Sequence, residues 1–368
     1  MFLHSSAKIA ILKNIDRLAG ALLARVISPP SAGQVPSAPG RILIIRPGGI
    51  GDAVLLVPAI RSLAHAFPGT SIDILSEKRN CGVFALCPEV HRVYHYERWA
   101  ELRAVLRNRY CAVIDTEQWH RLSAVVARLT NAPASIGFAS NERRRLFTHP
   151  VDYRQHEYEM DCFFRLLTPL AATVSPELSR RFLKIPVSSA KRAGELLRDC
   201  REKPFIVIFP GASIPERRWG EERFRDLVHR FVEKGIRSVI IGGREDAEIG
   251  NRIINGTQAL NLAGKTTLAE TAAIIDRSSL LLSGDSGILH IAVGLDVPTV
   301  SLFGPGIEAK WAPKGKKHVI INKKLACSPC TKFGYTPKCP IDARCMSEIS
   351  VEEVVAAVIE LFEKYAKV

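Results

Sequence analysis

The sequence predicts an α/β protein with two Rossmann-like domains, whose parallel sheets face each other across a cleft. From residue 41 onward, short apolar segments alternate with helical patterns, which is typical of a parallel sheet covered by helices on both faces. A second series of the same kind starts at residue 204. The length of 368 residues also favours two domains. The predicted parts are an N-terminal tail and linker at 1–40, domains at 41–185 and 186–350, and a C-terminal helix at 351–368.

Each element follows from the spacing of its apolar residues. In the first series, ILIIR at 42–46 predicts a buried strand and residues 53–67 predict the helix after it. Further strands are predicted at 71–75, 91–95 and 111–115, and further helices around 98–108, 119–130 and 155–171. In the second series, strands are predicted at 204–211, 237–243, 279–285 and 298–304, a short segment at 259–262, and helices at 220–234, 245–254, 267–276 and 286–294. Residues 172–203 are the predicted junction.

The composition is that of a globular protein. Hydrophobic residues make up 47% and charged residues 24%, which excludes a disordered, coiled-coil or collagen-like chain. No run of about 18 apolar residues occurs, so no single helix is expected to span a bilayer. Nine cysteines, an odd number, argue for reduced thiols and a cytoplasmic protein. The net charge of +14 favours anionic partners, which include nucleic acid, an acidic membrane surface and phosphorylated ligands.

The N-terminal tail contains an amphipathic helical pattern at 7–27. One stripe of that helix is formed by Ile11, Ile15, Leu18, Leu22 and Val26. The pattern fits a helix lying on an anionic membrane surface and equally a helix packed on its own protein. A secretory signal is disfavoured because charged residues interrupt the apolar stretch. The Pro- and Gly-rich segment 28–40 is predicted to be a linker.

The first motif is RPGGIGD at 46–52, directly after the first strand. Gly49 and Gly51 allow the backbone to approach a ligand closely, and Asp52 opens the following helix. Asp52 could equally be a helix N-cap. A dinucleotide-binding loop would need a third glycine where Val54 stands, which weakens that alternative.

The second motif joins FPGAS at 209–213 to ERRWG at 216–220. A glycine and the hydroxyl of Ser213 at a strand end, followed by Arg217, are suited to bind a phosphate group, because arginine grips phosphate through two parallel hydrogen bonds. The alternative is a solvated basic loop.

The third motif is SGDSGILH at 283–290, where a strand ends and a helix begins. The backbone N–H groups at that helix start favour an anion, beside Asp285, Ser286 and Gly287. His290 follows one turn later, where a packed or capping histidine is the common alternative.

Three consecutive arginines, Arg143, Arg144 and Arg145, stand in the first domain. They are suited to contact the phosphate or carboxylate groups of an acidic acceptor, and a solvated basic turn is the competing interpretation.

Four cysteines near the C-terminus are spaced C-x2-C-x8-C-x5-C. They are Cys327, Cys330, Cys339 and Cys345. Such a set could hold a structural zinc ion, although the second pair lacks the close C-x-x-C spacing. Reduced thiols and disulfides are the alternatives, and no catalytic metal is expected.

Taken together, these motifs resemble glycosyltransferase family 9, the ADP-heptose:lipopolysaccharide heptosyltransferases. The resemblance covers about 41–365 and rests on ILIIRPGGIGDAVLLVPAIRSL, on FPGAS with RRW, and above all on the block from NLAGKTT at 261 to SLFGP at 305. It implies a GT-B fold and inverting transfer without a metal ion or other cofactor. It also implies that the second domain binds ADP-heptose and the first binds a lipid-linked acidic saccharide.

The resemblance also implies roles for individual residues. Asp52 matches the catalytic base, with Gly49, Gly51 and the three arginines on the acceptor side. The residues matching the donor site are Ser213, Arg217, Asp285, Ser286, Gly287 and His290. Glu245 or Asp246 lies near the acidic contact to the nucleoside, and we assign Glu245. The sequence departs from the family pattern at R-R-W-G, where K-x-W-P is usual.

The expected function is transfer of heptose from ADP-heptose to the inner core of lipopolysaccharide, on a lipid A–Kdo or heptose acceptor. Cytoplasmic location with peripheral attachment to the inner face of the membrane is expected, and no nucleic-acid partner. Three alternatives remain at this point. They are a family member with another nucleotide sugar or acceptor, an NAD(P)-dependent oxidoreductase with two Rossmann-like halves, and a non-enzymatic nucleotide-binding protein of the membrane surface.

Overall fold

The computed structural model describes residues 15–31, 33–34, 37–172, 180–200, 204–332 and 335–365. The chain divides into two units, Met1–Leu178 and Ser179–Val368. Each unit contains one six-stranded sheet in which every described strand pair is parallel. The predicted α/β class with two Rossmann-like domains is therefore confirmed.

The first unit has the strand order β3-β2-β1-β4-β5-β6. Its strands are β1 (Arg41–Arg46), β2 (Ser71–Ser76), β3 (Val90–His95), β4 (Ala112–Asp115), β5 (Ala134–Phe138) and β6 (His149–Val151). Its α-helices are α1 (Ala21–Val26), α2 (Ile50–Ala66), α3 (Trp99–Arg107), α4 (Leu122–Leu129) and α5 (Glu159–Arg165). A π-helical turn (Asp16–Gly20) leads into α1, and 3-10 turns occupy Cys81–Leu86, Glu142–Leu146 and Thr168–Leu170.

The second unit has the strand order β12-β11-β10-β7-β8-β9. Its strands are β7 (Phe205–Phe209), β8 (Arg237–Ile240), β9 (Leu260–Asn261), β10 (Leu280–Gly284), β11 (Thr299–Phe303) and β12 (His318–Asn322). Its α-helices are α6 (Val187–Leu196), α7 (Glu221–Glu233), α8 (Ala247–Ile254), α9 (Leu268–Arg277), α10 (Gly287–Gly294), α11 (Glu308–Trp311), α12 (Arg344–Ser347) and α13 (Val351–Tyr365). The 3-10 turns are Arg198–Cys200, Pro215–Arg217 and Arg244–Asp246.

Both sheets have the same topology when the strands are counted within each unit. The first strand, β1 or β7, lies in the middle, and the strand order reverses between it and the fourth strand, β4 or β10. In open parallel sheets, ligands bind beyond the carboxyl ends of the strands at this reversal point. The first candidates for a site are therefore the residues just after these strands. They follow β1 and β4 in the first unit, and β7 and β10 in the second.

Each unit has its own hydrophobic core. In the first, Leu43 and Ile45 of β1 pack with Val113 and residues of α4. In the second, the core includes Ile206, Leu282 and residues of the C-terminal helix α13. The predicted C-terminal helix thus belongs to the second core, and its last three residues, 366–368, lie outside the described residues.

Several elements differ from the prediction. The strands β5, β6 and β12 and the helix α6 were not anticipated. β5 contains Gly137, which the ring of Phe147 packs against so closely that a Cβ there would collide with it. β6 is a three-residue strand at the sheet edge. Such short segments become strands because the neighbouring strand supplies hydrogen-bonding partners.

The second unit begins before the predicted boundary at 185/186. Leu183 N donates to Gly294 O at 3.0 Å, and the buried ring of Phe182 packs against Gly294. The tail helix is described only from Ile15, so residue 11 of the predicted stripe lies outside the described residues. Within the described part of the chain, no helix is both long and apolar enough to cross a membrane.

Candidate functional site

The motif after β1 forms a tight turn into α2. Gly48 adopts φ +102°, and a Cβ at this position would approach Arg46 Nη2 to 2.8 Å, so only glycine fits without strain. α2 begins at Ile50, and Asp52 lies in its first turn. The N-cap of α2 is Gly49, so Asp52 is not the N-cap, and its side chain is 23% exposed.

A buried arginine supports this turn. Arg46 is almost fully buried, and its Nη1 donates to Thr116 O, beyond the end of β4, at 3.0 Å. Its Nη2 lies 3.7 Å from Asp52 Oδ2 and 3.8 Å from Glu117 Oε2. Burial alone would raise the pKa of Glu117. The electrostatic interactions with Arg46, and then with His120 and Arg143, outweigh burial, so the pKa of Glu117 is lowered. The guanidinium of Arg46 therefore links the ends of β1 and β4 and lies close to Asp52.

Gln118 connects Asp52 to two further side chains, Glu159 and Tyr153. Gln118 Nε2 donates to Glu159 Oε1 at 2.6 Å and more weakly to Asp52 Oδ2 at 3.5 Å. Glu159 is fully buried and also accepts from Tyr153 Oη at 3.0 Å. Burial, then the carboxylates of Glu159 and Asp52, raise the pKa of Tyr153, so its hydroxyl keeps its proton and donates. Asp52 is thus the exposed end of a hydrogen-bonded chain.

Sequence reasoning missed Gln118, Glu159 and Tyr153. Gln118 stands just beyond β4, at the reversal point of the sheet, and this position was the available signal. Glu159 opens α5 and has no such signal, because its proximity to Asp52 depends on the packing of α5 against α2.

The arginine cluster is divided by the fold, which corrects one predicted site residue. Arg143 is fully buried, where it pairs with the carboxylate of Asp115 and donates to Glu117 O. It is therefore committed to the interior of the first unit and is not an acceptor contact in this structure. Arg144 and Arg145 are exposed, and Arg145 Nη1 donates to Arg25 O at 3.1 Å.

In the second unit, the loop after β7 carries the predicted phosphate contacts. Trp219 is buried, and its Nε1 donates to Ile349 O at 2.9 Å, which anchors the RRW segment to the core. Arg218 donates twice to Ala212 O, at 3.1 and 3.0 Å, and so closes the loop. Ser213 is exposed on this loop.

The loops after β7 and β10 meet through an ion pair. Arg217 Nη1 lies 2.8 Å from Asp285 Oδ2, and both side chains are largely buried. Arg217 Nη2 contacts Thr331 Oγ1 at the hydrogen-bond limit of 3.5 Å. A guanidinium has five N–H donors, so this pairing leaves donors available to a ligand oxygen. Gly306 passes so close to Asp285 that a Cβ there would collide with the carboxylate.

The start of α10 is built as predicted. Ser286 is the N-cap of α10, accepts from Leu289 N at 3.4 Å and lies 2.8 Å from Ser283 Oγ. Gly287 is the first residue of the helix and is partly exposed. His290 is buried one turn later, so its ring is packed inside the unit.

The two acidic candidates after β8 have different environments. Asp246 is buried and accepts from Gly243 N at 2.9 Å, so it caps its own 3-10 turn. Burial raises the pKa of Asp246, although the hydrogen bond from Gly243 N acts to lower it. Glu245 is exposed and its carboxylate lies over Gly243. Of the two, Glu245 is the one accessible to a ligand.

The four late cysteines are free thiols. Among the described residues, no three His, Cys, Asp or Glu side chains are placed to hold a metal ion. Burial, followed by the other three cysteines of the set, raises the pKa of Cys345 to about 11. The geometry therefore gives no support to the zinc interpretation.

Two Rossmann-type domains, each built on a six-stranded parallel sheet, are the architecture of a GT-B glycosyltransferase. The chain belongs to glycosyltransferase family 9 (heptosyltransferase), whose profile matches residues 98–339. This membership excludes the oxidoreductase and non-enzymatic alternatives.

Characterised relatives and solved structures agree with this family. The chain is 34% identical to lipopolysaccharide heptosyltransferase 2 of Escherichia coli K12 over 305 residues, which cover 76% of this chain and 87% of that protein. It is 29% identical to lipopolysaccharide heptosyltransferase 3 of E. coli over 287 residues, 72% of this chain and 83% of the relative. The fold is similar to a family 9 glycosyltransferase of Veillonella parvula (TM-score 0.74, 21% identity, 91% and 100% coverage) and to E. coli ADP-heptose lps heptosyltransferase II (0.72, 22%, 88% and 99%).

Proposed function

We propose that this protein transfers a heptose from ADP-heptose to the inner core of lipopolysaccharide, with inversion at the anomeric carbon. The observation that carries the proposal is the match to lipopolysaccharide heptosyltransferases over about three quarters of the chain, reaching 34% identity. The positions of Asp52 and of the Arg217–Asp285 pair at the reversal points of the two sheets support it.

The reaction forms a bond between an acceptor hydroxyl oxygen and the anomeric carbon, and breaks the bond from that carbon to the diphosphate. Asp52 accepts the hydroxyl proton as the new bond forms. Arg217, Ser213 and the N–H groups at the start of α10 balance the charge that develops on the departing ADP. Gly287 lets the backbone approach the diphosphate, Glu245 contacts the nucleoside, and His290 supports the site from within. In this proposal, groups of the protein stabilise the negative charge on the departing diphosphate, and no metal ion is needed.

On the acceptor side, we assign Gly49 and Gly51 to close backbone contact with the saccharide. Arg144 and Arg145 are exposed and suited to its acidic groups. Gln118 is proposed as a positioning residue, because one amide nitrogen donates to both Asp52 and the buried Glu159. A lipid-linked acceptor also leads us to propose that the protein works on the cytoplasmic side, attached peripherally to an anionic membrane surface.

A donor and acceptor screen tests the function. Purified protein is mixed with ADP-heptose, other nucleotide sugars and a set of truncated lipopolysaccharide acceptors, and products are read by mass spectrometry. A mass increase of one heptose on an inner-core acceptor supports the proposal. Transfer from a different nucleotide sugar, or to a different acceptor class, would instead favour another activity within the family.

Replacement of Arg217 by Ala is expected to weaken ADP binding. A hydrogen bond to a charged group contributes about 1.5–3 kcal/mol, which corresponds to about 10- to 150-fold in Kd. Isothermal calorimetry with ADP measures this change. The control is Arg225→Ala, since Arg225 is an exposed arginine of α7 outside the site. Equal ADP affinity of wild type and Arg217→Ala would show that Arg217 does not bind the phosphate groups. Because the substitution also removes the ion-pair partner of Asp285, thermal unfolding is used to check that the second unit remains folded.

Replacement of Gln118 by Met is expected to lower kcat about 10-fold, the equivalent of one hydrogen bond to a charged group. Methionine keeps the length of the side chain but removes the N–H donors that orient Asp52. The KM for ADP-heptose should stay unchanged, because the hydrogen bonds of Gln118 go to Asp52 and Glu159 of the first unit, whereas the residues assigned to the donor belong to the second. Steady-state kinetics measures kcat and KM separately. The control variant is Gln258→Met, which makes the same change at an exposed glutamine of the second unit. A change in KM alone would contradict a positioning role.

A further inference from the structure

The tail helix packs on the first unit with its small residues and exposes its large apolar ones. The buried positions from Asp16 to Val26 are Asp16, Gly20 and Ala24, spaced four residues apart. The exposed positions include five large aliphatic side chains. We call this set the outer stripe: Ile15, Leu18, Leu22, Leu23 and Val26. This is the reverse of the usual arrangement, in which the aliphatic face of a helix is buried against its own core.

The inward face is held by specific contacts. The carboxylate of Asp16 accepts from Arg121 N at 2.8 Å and Leu122 N at 2.9 Å, at the start of α4. A Cβ at Gly20 would lie 3.1 Å from Arg121 Cβ, so the small residue permits this close approach. Ala24 is part of the first core. These contacts fix the rotation of the helix about its axis.

The carboxyl end of the helix is held as well. Arg25 Nη2 lies 3.0 Å from Glu142 Oε1, and Arg145 Nη1 donates to Arg25 O at 3.1 Å. Arg128 Nε donates to Ser28 O at 3.0 Å, just beyond the helix. The orientation of the outer stripe is therefore defined at both ends.

The outer stripe is strongly exposed. Leu18 is 67%, Leu22 61% and Val26 71% accessible to solvent. Single exposed aliphatic residues are ordinary, but a contiguous row of them marks a surface that binds another apolar phase.

The charge around the outer stripe identifies the kind of partner. The helix and the two segments against which it packs, residues 15–28, 121–131 and 141–146, contain two carboxylates and six arginines, not counting the buried Arg143 that pairs with Asp115. One carboxylate is the buried Asp16, and the other, Glu142, pairs with Arg25 and Arg121. A row of aliphatic residues bordered by arginines is complementary to an anionic lipid surface, because the side chains enter the acyl boundary while guanidinium groups meet lipid phosphates. A second copy of the chain would bring the same positive charges together.

We infer that the outer stripe is the membrane-binding surface of this protein and inserts into the interface of an anionic bilayer in a fixed orientation. This inference rests on the peripheral location proposed above and names the element responsible for it. It does not depend on the identity of the sugar that is transferred.

Flotation of the full-length protein with lipid vesicles tests this surface. Wild type is compared with Leu18→Ser/Leu22→Ser/Val26→Ser on vesicles of phosphatidylethanolamine and phosphatidylglycerol, and on neutral phosphatidylcholine vesicles. The stripe variant is expected to lose at least about 10-fold in partition coefficient, because three inserted side chains are removed. Wild type is expected to bind anionic vesicles more tightly than neutral ones and to weaken at raised ionic strength.

The matched control carries three substitutions of exposed aliphatic residues in the second unit, Val187→Ser/Val232→Ser/Ile341→Ser. It should bind vesicles like wild type. Transfer to a soluble truncated acceptor should be the same in all three proteins, so a failure of the proposed transferase activity is seen separately from a failure of membrane binding. Equal flotation of wild type and stripe variant would overturn the inference. A wild-type dimer that the stripe substitutions convert to monomer, measured by sedimentation without lipid, would also overturn it.

Discussion

Replacement of Asp52 by Asn is expected to lower kcat by about 10²–10⁴-fold, the range of a positioned acid–base group. Asparagine keeps the shape of the side chain and can still accept a hydrogen bond from Gln118, but it cannot take the proton of the acceptor hydroxyl. ADP binding should be retained, because the residues assigned to the donor belong to the second unit. Steady-state kinetics and calorimetry with ADP measure the two quantities separately.

The control for this substitution is Asp342→Asn, the same change at an exposed carboxylate of the second unit. Near-normal turnover of the Asp52 variant would show that another group accepts the proton. Loss of both turnover and ADP affinity would indicate a structural defect, and thermal unfolding identifies that case.

Replacement of Arg143 by Met is expected to destabilise the first unit by about 3–5 kcal/mol, the cost of leaving one partner of a buried ion pair alone. Asp115 is fully buried at the end of β4, and Arg143 is the cation beside it. The pKa of Asp115 is raised by burial even with Arg143 present, so removal of the arginine leaves a carboxylate in a poorly solvating environment. Hydrogen exchange of peptides from the first sheet measures the change in the unit concerned.

The control here is the neighbouring residue. Arg144→Met removes an exposed charge and should change the free energy of unfolding by no more than about 0.5 kcal/mol. The double variant Arg143→Met/Asp115→Leu should recover much of the lost stability, because it removes both buried charges. If Arg143→Met proved as stable as Arg144→Met and instead impaired acceptor binding, the buried pair would have no structural importance.

The positions of the proposed site residues at strand ends could be predicted because their signals are local. Asp52, Arg217 and Asp285 each follow an apolar run that ends in a glycine-containing turn, and strand ends are where parallel sheets bind ligands. Gln118 and Glu159 were not predicted, since their contact with Asp52 joins the loop after β4, the first turn of α2 and the start of α5. The spacing of these residues along the chain does not indicate that they are in contact.

The three consecutive arginines show the limit of sequence reasoning most directly. Arg143 and Arg144 have the same chemistry and adjacent positions, yet one is fully buried and the other is exposed. Arg143 lies on the inward side of the 3-10 turn at Glu142–Leu146, and Asp115 at the end of β4, together with Glu117 O, makes an inward arginine favourable.

The sequence by itself determined the two-domain α/β class, the main strands and helices that flank the candidate sites, and the glycine turns at the strand ends, because periodicity and glycine geometry act over a few residues. The tertiary structure alone decided which charges are buried and which face of the tail helix is exposed. For that helix the periodicity was compatible with either orientation, and the choice depended on the cap that Asp16 makes on α4 and on the close fit of Gly20, which are contacts between residues about 100 positions apart.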